Sequence, residues 1–410
     1  MPASSAPLSP IDPWKLAADQ LARDRARLAA YPHLLPHKID RMAASPLAFL
    51  RGTAPLFYDV LKAAPELAGG GPNEGGGHGW IAGDLHLENF GVFRCAAPSD
   101  EDDRVSFHVN DFDDAVLGPW RYDLVRLATS VLLGARTLDG RQALSLLEAL
   151  FDGYAATAFA GEPIGAPPPT VAELIEKVSS RKREVLLAAR TELDGNERRF
   201  SRGPRYLDLA PSLIGPARAT FAAYVASLPA DARAHADAFE IVDLAFRVAG
   251  NGSLGSLRIA VLVRGKGGKN GHWIFDMKEE DAPSAAGLCG APREKPAVRV
   301  EAAMRATLPH VPRMVGTTEL DGKSMLVRRL APQEDRVRFD RVPPEELPAV
   351  VGHLGRLIGE AHRRGAEGTV PTSFAEGERD ALRRGAVVLA GLHESTYLAY
   401  LDLARAVPTA

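Results

Sequence analysis

Three segments between residues 241 and 279 constrain the fold most, because apolar and polar residues alternate in each with the period of a half-buried strand. The apolar positions are Val242, Leu244, Phe246 and Val248, then Leu257, Ile259, Val261 and Val263, then Trp273, Phe275 and Met277. Further strands are predicted near Val315 and over residues 323–330, after a helix at 297–308. This pattern predicts a small antiparallel sheet of about five strands with one inserted helix.

Most of the remaining chain has the periodicity of amphipathic or buried helices. The clearest helical stretches are residues 13–30, 45–64, 345–364 and 375–406. The predicted fold class is therefore α+β.

The charge and the cysteines limit the kinds of partner that the chain can have. A net charge of −3 over 410 residues creates no global field that recruits nucleic acid or an anionic membrane. Cys95 and Cys289 form no pair motif and no metal-binding spacing, which fits a reducing compartment. The N-terminus lacks the order of a signal peptide, and no apolar run approaches the length of a membrane span. We expect a cytoplasmic protein with no nucleic-acid partner and no membrane partner.

Two short motifs concentrate oxygen-bearing side chains at predicted strand ends. The stretch "GDLHLENFGVF" at 83–93 and the stretch "VNDFDD" at 109–114 carry Asp84, His86, Glu88, Asn89, Asp111, Asp113 and Asp114. Aspartate and asparagine are ordinary turn residues, so each one alone has a structural explanation. Together they supply the hard oxygen ligands that suit Mg²⁺.

The spacing from Asp84 to Asn89 is typical of a phosphoryl-transfer loop, in which the aspartate accepts the hydroxyl proton and the asparagine holds Mg²⁺. Asp84 is therefore the predicted catalytic base. Asn89 and Asp111 are the predicted metal ligands, and Asp113 is expected to support a second ion.

Three nearby polar residues are interpreted as structural. Asp123, near the start of a buried helix, is expected to accept hydrogen bonds from the backbone of the Asp84 loop. His86 is interpreted as a residue that shapes this loop, and His362 as a packing residue at a helix end.

The segment "GNGSLG" at 250–255 lies between two predicted strands, whereas a dinucleotide-binding loop runs from a strand into a helix. The arrangement is typical of the glycine-rich loop that covers ATP in kinases. Lys278, on the third strand, is then the predicted phosphate-binding lysine, and Glu301 on the next helix is its predicted partner. Residues 326–331 are the expected hinge beside the adenine. The predicted nucleotide contacts are Gly250, Gly252, Ser253, Gly255, Lys278, Arg329 and Leu330.

Six motifs carry a family resemblance, and they occur in the order "SPLAFLRG", "GDLHLENFG", "NDFDDAVLGPWRYDLVRLATS", "VAGNGSLGS", "MKEE" and "GEAHRRG". In these motifs the chain resembles the bacterial family labelled domain of unknown function 2252, over roughly residues 20–400. The chain departs from the family in carrying Glu280, where alanine is frequent, and in the segment "APQEDRV" after the hinge.

A more distant resemblance covers residues 83–123, which are similar to the catalytic segment of aminoglycoside and choline kinase-like phosphotransferases. It implies that Asp84 is the base, that Asn89 and Asp111 are metal ligands, and that Asp123 is the structural aspartate. Ala82 stands where those enzymes usually carry histidine.

The order of the motifs differs from that of ordinary kinases, because the carboxylate block at 83–123 precedes the nucleotide block at 250–331. We therefore predict a two-lobed, circularly permuted protein-kinase-like fold with a small antiparallel β lobe and a large, mostly helical lobe. The expected divisions are an N-terminal helical segment (1–79), a catalytic-loop and helical lobe (80–238), a nucleotide-binding β lobe (239–332) and C-terminal helices (333–410). If the permutation is real, the helix at 345–364 must end beside the strand that contains Trp80.

The function expected from these motifs is an ATP- and Mg²⁺-dependent phosphotransferase that acts on a hydroxyl of a small molecule. Protein or peptide phosphorylation and nucleotidyl transfer are alternatives on the same fold, and a nucleotide-binding regulator without catalysis is another. A metallophosphoesterase is disfavoured, because the other histidines are scattered without the neighbouring ligands that a two-metal site requires. Arg51 follows an apolar helical run, where it either makes a salt bridge or reaches the phosphates.

Overall fold

The architecture was obtained as a computed structural model, which describes residues 11–70, 76–95, 105–195, 197–233, 235–250 and 254–407. Its helices are α1 (Pro13–Arg27), α2 (Leu35–Ala43), α3 (Pro46–Leu50), α4 (Ala54–Ala63), α5 (Arg121–Gly134), α6 (Gly140–Ala158), α7 (Pro169–Ser179), α8 (Arg183–Arg190), α9 (Pro211–Ser227), α10 (Ala286–Cys289), α11 (Pro296–Thr307), α12 (Leu347–Arg364) and α13 (Glu378–Ala404).

The strands are β1 (His78–Ile81), β2 (Phe90–Arg94), β3 (Val105–Val109), β4 (Val116–Pro119), β5 (Thr191–Asp194), β6 (Glu197–Phe200), β7 (Tyr206–Leu207), β8 (Ile241–Arg247), β9 (Arg258–Val263), β10 (Trp273–Glu279), β11 (Gly316–Leu320), β12 (Lys323–Leu330) and β13 (Asp335–Arg336). The mixture of helices and sheets confirms the predicted α+β class.

The largest sheet is antiparallel and has six strands in the order β11-β12-β10-β9-β8-β7. The three alternating segments form β8, β9 and β10, and α11 lies between β10 and β11 in the chain, as expected. The short strand β7 was not expected, and it adds the sixth strand at one edge.

One face of this sheet is apolar and packs against α9. Phe275 and Met277 of β10 share a buried cluster with Phe221 and Tyr224 of α9. The residues before 239 therefore pack with the sheet, and the expected division at 238/239 falls inside one hydrophobic core.

The helical body is built around α5, whose residues are almost all buried, with α13 packed along it. Helices α6 and α12 make the most extensive helix–helix contact of the described structure. At Gly153 and Gly355 a Cβ atom would overlap a backbone carbonyl of the facing helix, so small residues permit this close approach.

The end of α12 lies beside β1, although the two are far apart in the sequence. The Trp80 N–H donates to the Gly365 carbonyl at 2.9 Å, and the Glu367 N–H donates to the His78 carbonyl at 2.9 Å. This contact confirms the geometric expectation for the ends of these two elements. None of the described helices is long and apolar enough to cross a membrane.

Candidate functional site

A cleft of about 1060 Å³ lies between one face of the six-stranded sheet and the helical body. Its lining includes six of the predicted site residues: Gly250, Lys278, Asp84, Asn89, Asp111 and Asp113. The sheet supplies the first two and the helical body supplies the other four. Residues from two distant parts of the sequence therefore meet in one cavity.

Lys278 on β10 makes the contact that joins the two walls. Its ammonium group contacts the carboxylate of Asp113 and lies 3.2 Å from both carboxylate oxygens of Glu280. Burial lowers the pKa of Lys278, but Asp113 and Glu280 outweigh it, so the pKa is raised. Burial likewise acts to raise the pKa of Asp113, and Lys278 outweighs it, so that pKa is lowered. The pair is therefore a charged contact across the cleft.

Asp123 fixes the loop that carries Asp84. Its two carboxylate oxygens accept hydrogen bonds from the N–H groups of Ala82 (2.7 Å) and Gly83 (3.0 Å). His362 lies 3.2 Å from the same carboxylate and stacks on Trp120, so it is a buried packing residue with a polar role. These contacts confirm the structural interpretation of Asp123.

Asp84 projects into the cleft with about a fifth of its side chain exposed and forms an ion pair with the fully buried Arg126, whose Nε donates at 2.7 Å. Burial raises the pKa of Asp84 to about 8, although Arg126 acts in the opposite direction. A carboxyl group whose pKa lies near neutral pH can both give and take a proton in that pH range, as acid–base catalysis requires. Sequence analysis missed Arg126, although its place one turn after Asp123 within a buried helix was a signal.

The turn after Asp84 is closed by its own side chains. The Asn89 Oδ1 accepts the N–H of His86 at 2.7 Å, and the Nδ1 of His86 accepts the N–H of Glu88 at 3.2 Å. The loop-shaping role of His86 is confirmed. The amide oxygen of Asn89, the atom expected at the metal, is engaged within the turn.

The loop between β3 and β4 presents a group of three carboxylates to the cleft: Asp111, Asp113 and Asp114. Burial, together with the charge of Asp113, raises the pKa of Asp111 to about 6. Adjacent carboxylates that line a cleft in this way are stabilised by a cation, and their hard oxygens fit Mg²⁺. Among the residues that the structure describes, no group of three or more His, Cys, Asp and Glu side chains is arranged to hold a metal ion by itself. Asp111 and Asp113 are the residues of this loop that could hold Mg²⁺, an ion that commonly takes its other ligands from water and substrate phosphates.

The structure does not bring Glu301 to Lys278. Glu301 pairs instead with Arg305 on the same helix, at 2.6 and 2.9 Å. The residue of α11 that reaches the cleft loops is the buried Arg299, which donates to the carbonyls of Asp113 (2.8 Å) and Asp281 (2.9 Å). The carboxylate partners of Lys278 are Asp113 and Glu280, the residue that directly follows β10, and sequence analysis assigned no role to Arg299 or to Glu280.

The glycine-rich segment connects β8 to β9, which pair antiparallel, as predicted. Gly250 and Gly255 both have positive φ, and the Gly250 carbonyl accepts a hydrogen bond from Arg41 at 2.6 Å. The predicted contacts Gly252 and Ser253 lie outside the described residues.

The predicted hinge residues divide between the two faces of β12. Leu326 and Arg328 line the cleft, whereas the Arg329 guanidinium lies 4.1 Å from the ring centre of Trp273 on the opposite face. Leu330 is buried in an apolar cluster with Ile274. Neither Arg329 nor Leu330 is among the residues that line the cleft. Arg329 points to the opposite face because successive side chains of a strand alternate between the two faces. Leu330 packs in its apolar cluster, beyond the edge of the cleft.

Arg51 lies in the cleft wall and forms a salt bridge with Glu88 at 2.9 Å. Arg336, on β13, reaches the same carboxylate at 2.8 Å. Of the two roles weighed for Arg51, the salt bridge is present.

The fold and the cleft define an α+β protein with a deep, charged cavity between a sheet and a helical body. The sequence profile of the family described as "Uncharacterized protein conserved in bacteria (DUF2252)" matches residues 27–163 and 166–402. The chain belongs to this family, as its motifs indicated. No curated protein and no solved structure is matched by the chain.

Proposed function

We propose that the protein is an ATP- and Mg²⁺-dependent phosphotransferase that transfers the γ-phosphoryl group to a hydroxyl of a small molecule. The observation that carries the proposal is the contact of Lys278 with Asp113 in the cleft that Asp84 and Asp111 also line. A basic phosphate-binding group, a carboxylate pair and a recessed base are the parts that phosphoryl transfer requires.

The roles follow from the positions of the side chains. Lys278 would hold phosphate oxygens, and Asp84 would accept the proton of the acceptor hydroxyl. Asp111 and Asp113 would hold Mg²⁺, which supplies charge neutralisation for the transferred group. Arg299 would keep the carboxylate loop in place through its bonds to backbone carbonyls.

We propose a circularly permuted protein-kinase-like arrangement, supported by the glycine-rich sequence between the paired strands β8 and β9, by Lys278 on the third strand, and by the junction of α12 with β1. An ordinary kinase pairs this lysine with a glutamate of the following helix, whereas here Glu280 takes that place.

Thermal unfolding with ATP, ADP or GTP, each with and without Mg²⁺, tests nucleotide binding. A nucleotide at a hundred times its Kd stabilises the fold by roughly 2.7 kcal/mol. Asp111→Asn is expected to remove the Mg²⁺-dependent part of the shift, while the exposed control Asp19→Asn keeps it. The absence of a shift with any nucleotide in the wild type would refute the proposal.

A nucleotide-binding regulator without catalysis is the second candidate, and the ion pair between Arg126 and Asp84 favours it. The two candidates differ in ATP turnover with a mixture of cellular metabolites as acceptors. Catalysis requires turnover that Asp84→Asn abolishes while nucleotide binding persists. A regulator binds the nucleotide but consumes none.

A further inference from the structure

We propose that the sheet wall of the cleft is a second anion-binding subsite, built by Arg190, Arg205, Arg258 and Arg328, and that it takes a phosphate group of the substrate. All four residues line the cleft. The role of the subsite in catalysis rests on the proposed phosphotransfer, but the binding of an anion to it does not.

The charges of this wall do not balance. Arg258 and Arg247 share the buried carboxylate of Asp276, at 2.9 Å and 2.7 Å. Arg328 lies 3.5 Å from Glu334. With Arg190 and Arg205, these five guanidinium groups have two carboxylate partners of their own, Asp276 and Glu334, while Lys278 on the same wall pairs with Asp113 and Glu280.

Arg190 and Arg205 carry the excess charge. The guanidinium of Arg190 reaches the hydroxyl of Tyr206 at 3.5 Å. Within the described ranges, neither arginine has a carboxylate within salt-bridge distance, and Arg205 is exposed. Both side chains therefore lack a carboxylate partner among the described residues and can pair with an anion in the cleft.

The positive charges of neighbouring arginines on this wall repel one another, and a bound anion would reduce that repulsion. Burial is the largest cause that lowers the pKa of Arg247, the positive charges of Arg258 and Arg190 lower it as well, and Asp276 opposes them, so that the pKa falls to about 10. A bound anion would supply the negative charge that the wall lacks.

The geometry of the donors favours phosphate. The four arginines, which lie at the end of α8, just before β7, on β9 and on β12, line one cavity from four parts of the chain. Arginine binds phosphate oxygens with two parallel hydrogen bonds, and several arginines together suit a group that carries more than one charge. Two sources provide such a group: the phosphate chain of the donor or a phosphomonoester on the acceptor.

Calorimetric titration of the full chain, without Mg²⁺ and without nucleotide, tests the subsite. Inorganic pyrophosphate stands for the phosphate chain, and glycerol phosphate stands for the phosphomonoester. The double variant Arg190→Ala/Arg205→Ala is expected to raise the Kd of the better-bound probe at least roughly tenfold. The matched control Arg218→Ala removes an exposed arginine of α9 that does not line the cleft and is expected to leave the Kd unchanged.

The preferred probe identifies the source of the phosphate group. The subsite is refuted if both variants bind the probes equally, or if the wild type binds neither probe at millimolar concentration. Circular dichroism of the double variant shows whether its fold is kept. If only the phosphotransfer proposal fails, pyrophosphate binding still depends on the two arginines. If only the subsite fails, ATP turnover persists and is equal in the double variant and the control.

Discussion

Asp123 shows how one buried carboxylate can determine the position of a reactive group. Because both of its oxygens accept backbone N–H groups of residues 82 and 83, it sets the direction in which Asp84 leaves β1. Neither oxygen is exposed to solvent, so a substitution must leave a polar group without its partner.

Asp123→Asn is therefore expected to lower the free energy of unfolding by roughly 3 kcal/mol, because the new amide N–H₂ faces a backbone donor. Urea denaturation followed by circular dichroism measures the change. Asp19→Asn, which disturbs only an exposed ion pair with Lys15 at 3.5 Å, is expected to change stability by less than roughly 0.5 kcal/mol. Equal effects of the two substitutions would contradict this account of Asp123.

His393 makes stability depend on pH. It is fully buried, and burial, together with the charge of Arg126, lowers its pKa to about 3. The unfolded chain has a histidine pKa near 6.5, so it binds more protons than the folded protein as the pH falls below that value.

The contribution of His393 is therefore present above pH 6.5 and is lost as the pH falls. Between pH 7 and pH 5 the loss amounts to about 2 kcal/mol. Denaturation at several pH values is expected to show a shallower acid dependence for His393→Leu than for the wild type. Parallel curves for the two proteins would show that His393 does not titrate on unfolding.

The sequence predicted the strands of the sheet well, since alternation directly reports which side of a strand is buried. It predicted less about α11, because a weakly amphipathic sequence does not show which side of the helix faces the cleft. Residues two positions apart on a helix, such as Arg299 and Glu301, point about 200° apart. Glu301 was therefore expected at Lys278, where the structure places Glu280. The two-residue strand β7 is too short to show any periodicity.

The packing of α6 against α12 depends on glycines that no periodicity reveals. A Cβ atom at Gly355 would overlap the Leu150 carbonyl, whereas a Cβ atom at Gly391 of α13 meets nothing within 4 Å. Gly355→Ala is expected to destabilise the protein by roughly 3 kcal/mol. Gly391→Ala is expected to stabilise it by about 0.5–1 kcal/mol, because the unfolded chain loses freedom. Thermal unfolding of both variants tests this, and a stable Gly355→Ala protein would show that the helices can separate without loss.

The Lys278–Asp113 contact joins the sheet to the helical body across the cleft. Removing one partner leaves a buried charge, so Lys278→Met is expected to cost roughly 3 kcal/mol. The loss is expected to be partly restored when Asp113→Asn is added, with a coupling energy of about 1–3 kcal/mol.

A double-mutant cycle by chemical denaturation measures this coupling. The exposed pair Lys15 and Asp19 is the matched control, for which the coupling is expected to be below roughly 0.5 kcal/mol. Additive effects of the two substitutions at Lys278 and Asp113 would show that the two walls are held together by other contacts.

The pairing of β13 with β2 fixes the chain to the helical body only four residues after β12 leaves the sheet. A rotation of the sheet away from the body would therefore bend the chain at residues 331–334, which join β12 to β13. Such a rotation lengthens the distance from Lys278 to Asp113 but leaves the spacing of Asp84 and Asp111 constant. The acidic wall of the helical body would thus keep its geometry, and the binding of a substrate would change only the distance from this wall to the sheet.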